Sequence, residues 1–172
     1  EQLVVAVYDQ TLSLMEEMAS EALAQPDPAA RLRHLIGAHV ALRKRILKAL
    51  SDAGVGILMG TDSPQMFNVP GFALHRELRV VAESGMSNYA ILRSGTASVG
   101  TYVADHLGLD GNFGTVAVGQ RADLVLLSRN PLDDLANLTD RVGVMVRGRW
   151  ITRAEIDAGL AALAEKHAGQ TP

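Results

Sequence analysis

Val55-Gly56-Ile57-Leu58-Met59-Gly60 runs directly into Thr61-Asp62-Ser63-Pro64. The first part is short, apolar and bounded by glycine, which reads as a strand buried on both faces. The second is a polar turn. Together they place Asp62 at the C-terminal end of a buried strand, the end at which open α/β sheets and (β/α)8 barrels gather their reactive side chains.

Upstream, apolar residues at Val4, Tyr8, Leu12, Met15, Ala19 and Leu23 recur in steps of three and four, the signature of one helix face. Asp9, Gln10, Glu16, Glu17 and Glu21 fall mostly opposite. Pro26-Asp27-Pro28 ends this helix and starts another, with Asp27 as N-cap and Pro28 at the first helical position. Leu32, Leu35, Ile36, His39, Leu42, Ile46 and Leu50 form the second stripe, and Gly54 stands where a left-handed C-terminal cap is expected.

Downstream, residues from about Phe72 to Ser84 read as a helix closed by Gly85. Two shorter helices follow near 87–94 and 96–107, the second stopped by Gly108. Thr115-Val116-Ala117-Val118-Gly119 is a short extended candidate. Strands are expected at 123–127 and 142–146, with Trp150-Ile151 returning after a turn at Arg147-Gly148-Arg149. Asn130-Pro131-Leu132-Asp133-Asp134 is loop. Arg153 to about His167 is helical, opened by Thr152 and Glu155 at capping-box spacing.

One strand among several helices poses a physical problem, because a strand needs neighbours to pair its backbone donors and acceptors. A strand flanked by helices is typical of a βα unit within a larger parallel sheet. The chain also opens at Glu1-Gln2-Leu3 inside an apolar periodic pattern. The expectation is therefore a C-terminal portion whose partner strands lie upstream of Glu1.

The 172 residues carry 16 Lys+Arg against 19 Asp+Glu, a net charge of −3, which argues against gripping a nucleic-acid backbone. With 48% apolar and 20% charged residues the chain is globular in composition. Cysteine is absent, which excludes disulfides, thiolate nucleophiles and Cys-ligated zinc. No apolar run approaches the roughly 18–20 residues of a membrane helix. The lack of cysteine fits the cytoplasm and is compatible with the periplasm.

Asp62 is the foremost chemical candidate, since a carboxylate at a strand end can bind a metal or move a proton. The plainer alternative is a capped turn formed with Thr61 and Ser63. His75 and Glu77, in Leu74-His75-Arg76-Glu77-Leu78, sit near the start of the next helix but point about 200° apart. One of them can face the strand end; otherwise Glu77 merely favours the helix N-terminal dipole. His34 and His39 are five apart, which is not the spacing of a helical zinc pair. Arg43, Lys44, Arg45 and Lys48 lack interleaved aromatics and read as a solvated face. Gly54, Gly56 and Gly60 do not have dinucleotide-loop spacing, and Ser63 and Ser94 lack the context of a nucleophile elbow. Catalytic zinc needs three protein ligands, and this chain offers one good carboxylate and no His-x-His pair.

Gly60-Thr61-Asp62-Ser63 after an apolar strand, followed by Leu74-His75-Arg76-Glu77-Leu78, resembles the end of a metal-dependent amidohydrolase. Gly114-Thr115-Val116-Ala117-Val118-Gly119-Gln120-Arg121-Ala122-Asp123-Leu124-Val125 resembles that superfamily's G-x-[IVL]-x-x-G-x-x-A-D-[LF]-[VI] segment. Asn130-Pro131-Leu132 and Val144-Met145-Val146-Arg147-Gly148-Arg149 follow in the family's order, so the resemblance covers about residues 54–152. The branch is the imidazolonepropionase-like one, with proline-dipeptide and acyl-amino-acid hydrolases.

The resemblance implies an α/β fold: the C-terminal part of a (β/α)8 barrel (residues 1–112), C-terminal strands of a small composite β-sandwich (113–152) and a tail helix (153–172). Residues 55–60 would be the eighth barrel strand. Asp62 matches the family's aspartate that ligates metal and shuttles a proton, and His75 and Ser63 take a substrate-side role. The family's His-x-His, bridging lysine and later histidines have no counterpart here. The implied cofactor is a divalent metal, zinc as one or two ions, provided that N-terminal ligands are present. The implied partners are a small amide or dipeptide substrate, the missing N-terminal half and a second copy in a homo-oligomer, with neither nucleic acid nor membrane. The function implied is metal-dependent hydrolysis of amide bonds in small molecules. Two rival readings are a non-catalytic fragment or subunit that completes a barrel supplied by another chain, and a free-standing α+β module in which strands 115–151 pair with 55–60. Lactonase, phosphotriesterase or deaminase chemistry is open within the same fold.

Overall fold

A computed structural model describes residues 2–64 and 68–168, with backbone alone for 2–10. The chain forms two compact units. One contains residues 1–55 with 83–85, and the other 56–82 with 86–172.

The first unit is built on α1 (Gln2–Leu23) and α2 (Pro28–Asp52). Asp27 caps α2 by accepting the Ala30 N–H at 2.8 Å, with Pro28 inside the first turn, as the Pro-Asp-Pro spacing predicts. Gly54, at φ +71°, takes the left-handed conformation after the helix end. Ala22 and Leu42 are buried, and His34 meets Glu21 across the two helices at 3.2 Å. Much of the apolar stripe is uncovered nonetheless: Leu23, Leu32 and Ile36 are exposed. Lys44 pairs with Glu83, and Lys48 with Asp52 one helical turn on.

The second unit begins with residues 56–60. They belong to no ladder among the described residues, so the strand expected over 55–60 is not seen as a paired strand. A strand forms only where a second segment pairs with its backbone, and the three-stranded sheet is built from other segments: its order is β1 (Leu124–Leu127), β2 (Arg141–Val146), β3 (Arg149–Thr152), antiparallel throughout. The pairing of 55–60 with the later strands, on which the free-standing module rested, is therefore absent. Residues 115–119 form turns rather than a strand, with Val116 and Val118 exposed. The described architecture is thus mixed helix and strand, with one small antiparallel sheet in the second unit.

Of the helices α3 (Phe72–Ala82), α4 (Asn88–Ser94) and α5 (Ala97–Leu107), the first two supply most of this unit's buried apolar side chains: Ala73, Leu78 and Val81 from α3 and the fully buried Ile91 from α4, beside Met86 and Leu135. The first of them ends at Ala82, two residues short of the expected Ser84. Gly100, Gly111 and Gly114 allow α5 to lie against the following loop: a Cβ on any of them would strike backbone oxygen. Arg121 lies over the Phe113 ring at 5.0 Å and its N–H bonds Asn112 O at 2.6 Å. The last element, α6 (Arg153–His167), opens with the expected capping box between Thr152 and Glu155. No described helix is long and apolar enough to cross a membrane.

Candidate functional site

Residues 56–60 are carried by α4. The Met59 N–H donates to Ser94 O at 3.1 Å, and Met59 Cβ packs close to Gly95, at ordinary contact distance from where a Cβ there would stand. Ser94 is itself buried and anchored, its Oγ donating to Ile91 O at 2.7 Å. The chain leading to Asp62 is therefore tied to the best-buried residue of the unit.

The turn that follows is held by short polar side chains. Thr61 Oγ1 donates to Ser63 Oγ at 3.1 Å and accepts the Ser63 N–H at 3.4 Å. The Asn68 carboxamide donates to the Thr61 carbonyl. Between these contacts Asp62 adopts φ +54°, a left-handed conformation that aspartate tolerates better than most residues. Its side chain is exposed, whereas Thr61, Ser63 and Asn68 are half-buried. The turn thus brings Thr61, Asp62, Ser63 and Asn68 together, and presents one carboxylate from a constrained backbone. Asn68 carries no motif or periodic signal in the sequence; only its proximity across residues 62–67 reveals it.

His75 is placed on α3, half-buried, on a separate element from the turn. Glu77 lies beyond the first turn of that helix, so the dipole role expected for it does not apply. His34 and His39 belong to the first unit, where His34 faces Glu21.

Among the described residues no three His, Cys, Asp or Glu side chains converge as a metal ion would require. Asp62 is one donor where catalytic zinc takes three from protein, so the donor set among the described residues does not fit the ion by itself.

A second carboxylate has a defined task away from this turn. Asp123 accepts the Arg147 N–H at 2.7 Å and also the Arg121 guanidinium. Arg147 and Gly148, both at positive φ, form the two-residue connection between β2 and β3. The Arg147 N–H, and then the Arg121 charge, hold the Asp123 carboxyl below its ordinary value of 3.8. This is a structural clasp.

The model of the Amidohydrolase family matches residues 30–151, a span that takes in the Asp62 turn, His75 and the sheet. No curated protein matches the sequence. Among solved structures, a bottromycin amidohydrolase superposes with TM-score 0.65 at 29% identity, over 91% of this chain and 33% of that one. A protein from Bifidobacterium longum, provisionally assigned as a prolidase, gives 0.55 at 33% identity, over 83% of this chain and 35% of the other. A Xaa-Pro dipeptidase with methionine bound in its active site gives 0.54 at 22% identity, over 83% and 33%, a likeness of fold alone. The chain spans about a third of the length of these structures.

Proposed function

Because the chain belongs to the Amidohydrolase family, we propose that it is the C-terminal part of a hydrolase of amide bonds in small molecules, with Asp62 as its proton-transfer residue. The observation that carries this reading is the family match across residues 30–151, with Asp62 inside it at the end of an anchored extended segment. The names of two matched structures, a bottromycin amidohydrolase and a protein provisionally assigned as a prolidase, favour substrates whose scissile bond is an amide.

In this reading residues 55–60 are the last barrel strand, whose neighbours would lie in the rest of the protein, and residues 113–152 are the C-terminal share of a composite sandwich. Leu58, Leu74, Val125 and Leu126 are exposed, as apolar side chains that meet the rest of a larger protein would be. The family's metal, zinc in this proposal, would draw its other ligands from outside this chain. When bound, it would lower the pKa of water and polarise a carbonyl. This chain's part is proton handling: Asp62 accepts a proton from the attacking water and returns it to the departing amine, which leaves as a neutral base. His75 and Ser63 line the substrate side.

The test is turnover by the full-length protein on acyl-amino acids, Xaa-Pro dipeptides, lactones and aryl phosphotriesters. The proposal expects amides to be hydrolysed with kcat/KM at least tenfold above the esters. Hydrolysis of lactone or phosphotriester alone would overturn it. A second reading, a non-catalytic subunit, rests on the lack of gathered metal donors among the described residues and expects no turnover of any of these.

A further inference from the structure

Asp62 is held from both sides by groups that take no part in proton transfer themselves. On its N-terminal side the Thr61 carbonyl, half of the Thr61–Asp62 peptide, accepts the Asn68 carboxamide N–H. On its C-terminal side the Ser63 N–H and hydroxyl both meet Thr61 Oγ1, at 3.4 and 3.1 Å. The two peptide planes flanking Asp62 are therefore tethered, and the residue between them sits at φ +54°. A non-glycine residue in that region costs energy that the surroundings must supply. We propose that Asn68, with the Thr61 hydroxyl, is a positioning clamp that fixes the Asp62 carboxylate for reaction. This rests on the catalytic reading of Asp62.

The argument is one of geometry against entropy. An aspartate on a free turn samples several backbone and rotamer states, and a general base must lie within hydrogen-bond reach of the proton it takes. A misplacement of about 1 Å can cost on the order of 10²-fold in rate. Neither Asn68 nor Thr61 supplies charge, so their removal should spare substrate affinity and lower the chemical step. Half-burial of both residues also keeps bulk water from replacing these bonds cheaply.

The test uses the full-length protein with Asn68→Leu, which keeps the size of the side chain and removes the donor, and Asn68→Gln, which retains a carboxamide. Two readouts are taken. The first is kcat and KM on an acyl-amino acid. The second is hydrogen exchange at the Asp62 and Ser63 amides, which reports the clamp whether or not the protein turns over substrate. The clamp predicts a tenfold or greater fall in kcat for Asn68→Leu with KM within threefold, at least partial recovery in Asn68→Gln, and exchange at 62–63 accelerated at least tenfold. Exchange unchanged in Asn68→Leu overturns the clamp irrespective of activity. So does kcat within threefold of wild type, or a loss confined to KM. If the wild type hydrolyses no amide, the catalytic reading of Asp62 fails, and exchange alone decides whether the clamp exists. Should Asn68→Leu not fold, Thr61→Val removes the other half of the tether and is read by the same criteria.

Discussion

At Asp123 a single carboxylate explains why two separated stretches, Ala122-Asp123-Leu124-Val125 and Arg147-Gly148-Arg149, occur together. The first supplies an acceptor and the second a turn whose backbone needs one. The sequence shows both stretches but not the bond between them, because nothing in local pattern couples residues so far apart. Asp123→Ala should therefore destabilise the hairpin at neutral pH. The sign follows from the depressed carboxyl: the stabilisation is present above the unfolded value and lost as pH falls through the lower folded one. The stability difference between wild type and variant, followed by fluorescence of the single Trp150, should shrink below about pH 4. A difference that persists undiminished in acid would count against the clasp. Gly143 makes a related case. A Cβ there would lie against the Trp150 ring and 2.7 Å from Ile151 O, so Gly143→Ala should cost about 1–3 kcal/mol and shift the tryptophan emission. An unchanged melting temperature would refute that.

Elements were legible where their ends carry chemistry. Asp27-Pro28 starts α2, Gly108 at φ +61° ends α5, and Thr152 with Glu155 opens α6, all as the spacing implies. Replacing Asp27 by Ala removes the acceptor of the Ala30 N–H and should lower stability by about 1 kcal/mol, measured by urea denaturation. No change in the midpoint would show that the cap is dispensable. Strands fared differently. Residues 124–127, 141–146 and 149–152 pair with one another within a few dozen residues, so short apolar runs between turns sufficed to find them. The apolar run at 55–60 is equally short and apolar but pairs with no strand among the described residues, because pairing is a property of two segments and a local pattern describes only one. Thr115–Gly119 alternates like a strand yet turns, its glycine at φ +88°.

Among the described residues, the two units bury few large side chains and leave many apolar ones exposed, and the chain covers about a third of the bottromycin amidohydrolase and of the Xaa-Pro dipeptidase. The family was legible from ordered motifs spread over residues 54–152, whereas a metal site was not, since its donors are not gathered among the described residues. Native mass spectrometry should accordingly find this chain without zinc when it is produced alone, and zinc in the full-length protein. Zinc held at one equivalent by the isolated chain would contradict that division.

The claim on which the rest depends is that Asp62 moves the proton. Its most direct test is turnover of an acyl-amino acid by full-length Asp62→Asn, with folding checked by melting temperature. Loss of the base with shape retained should lower kcat at least about 10²-fold, the lower end of general-base contributions. Turnover within tenfold of wild type would remove Asp62 from the chemistry.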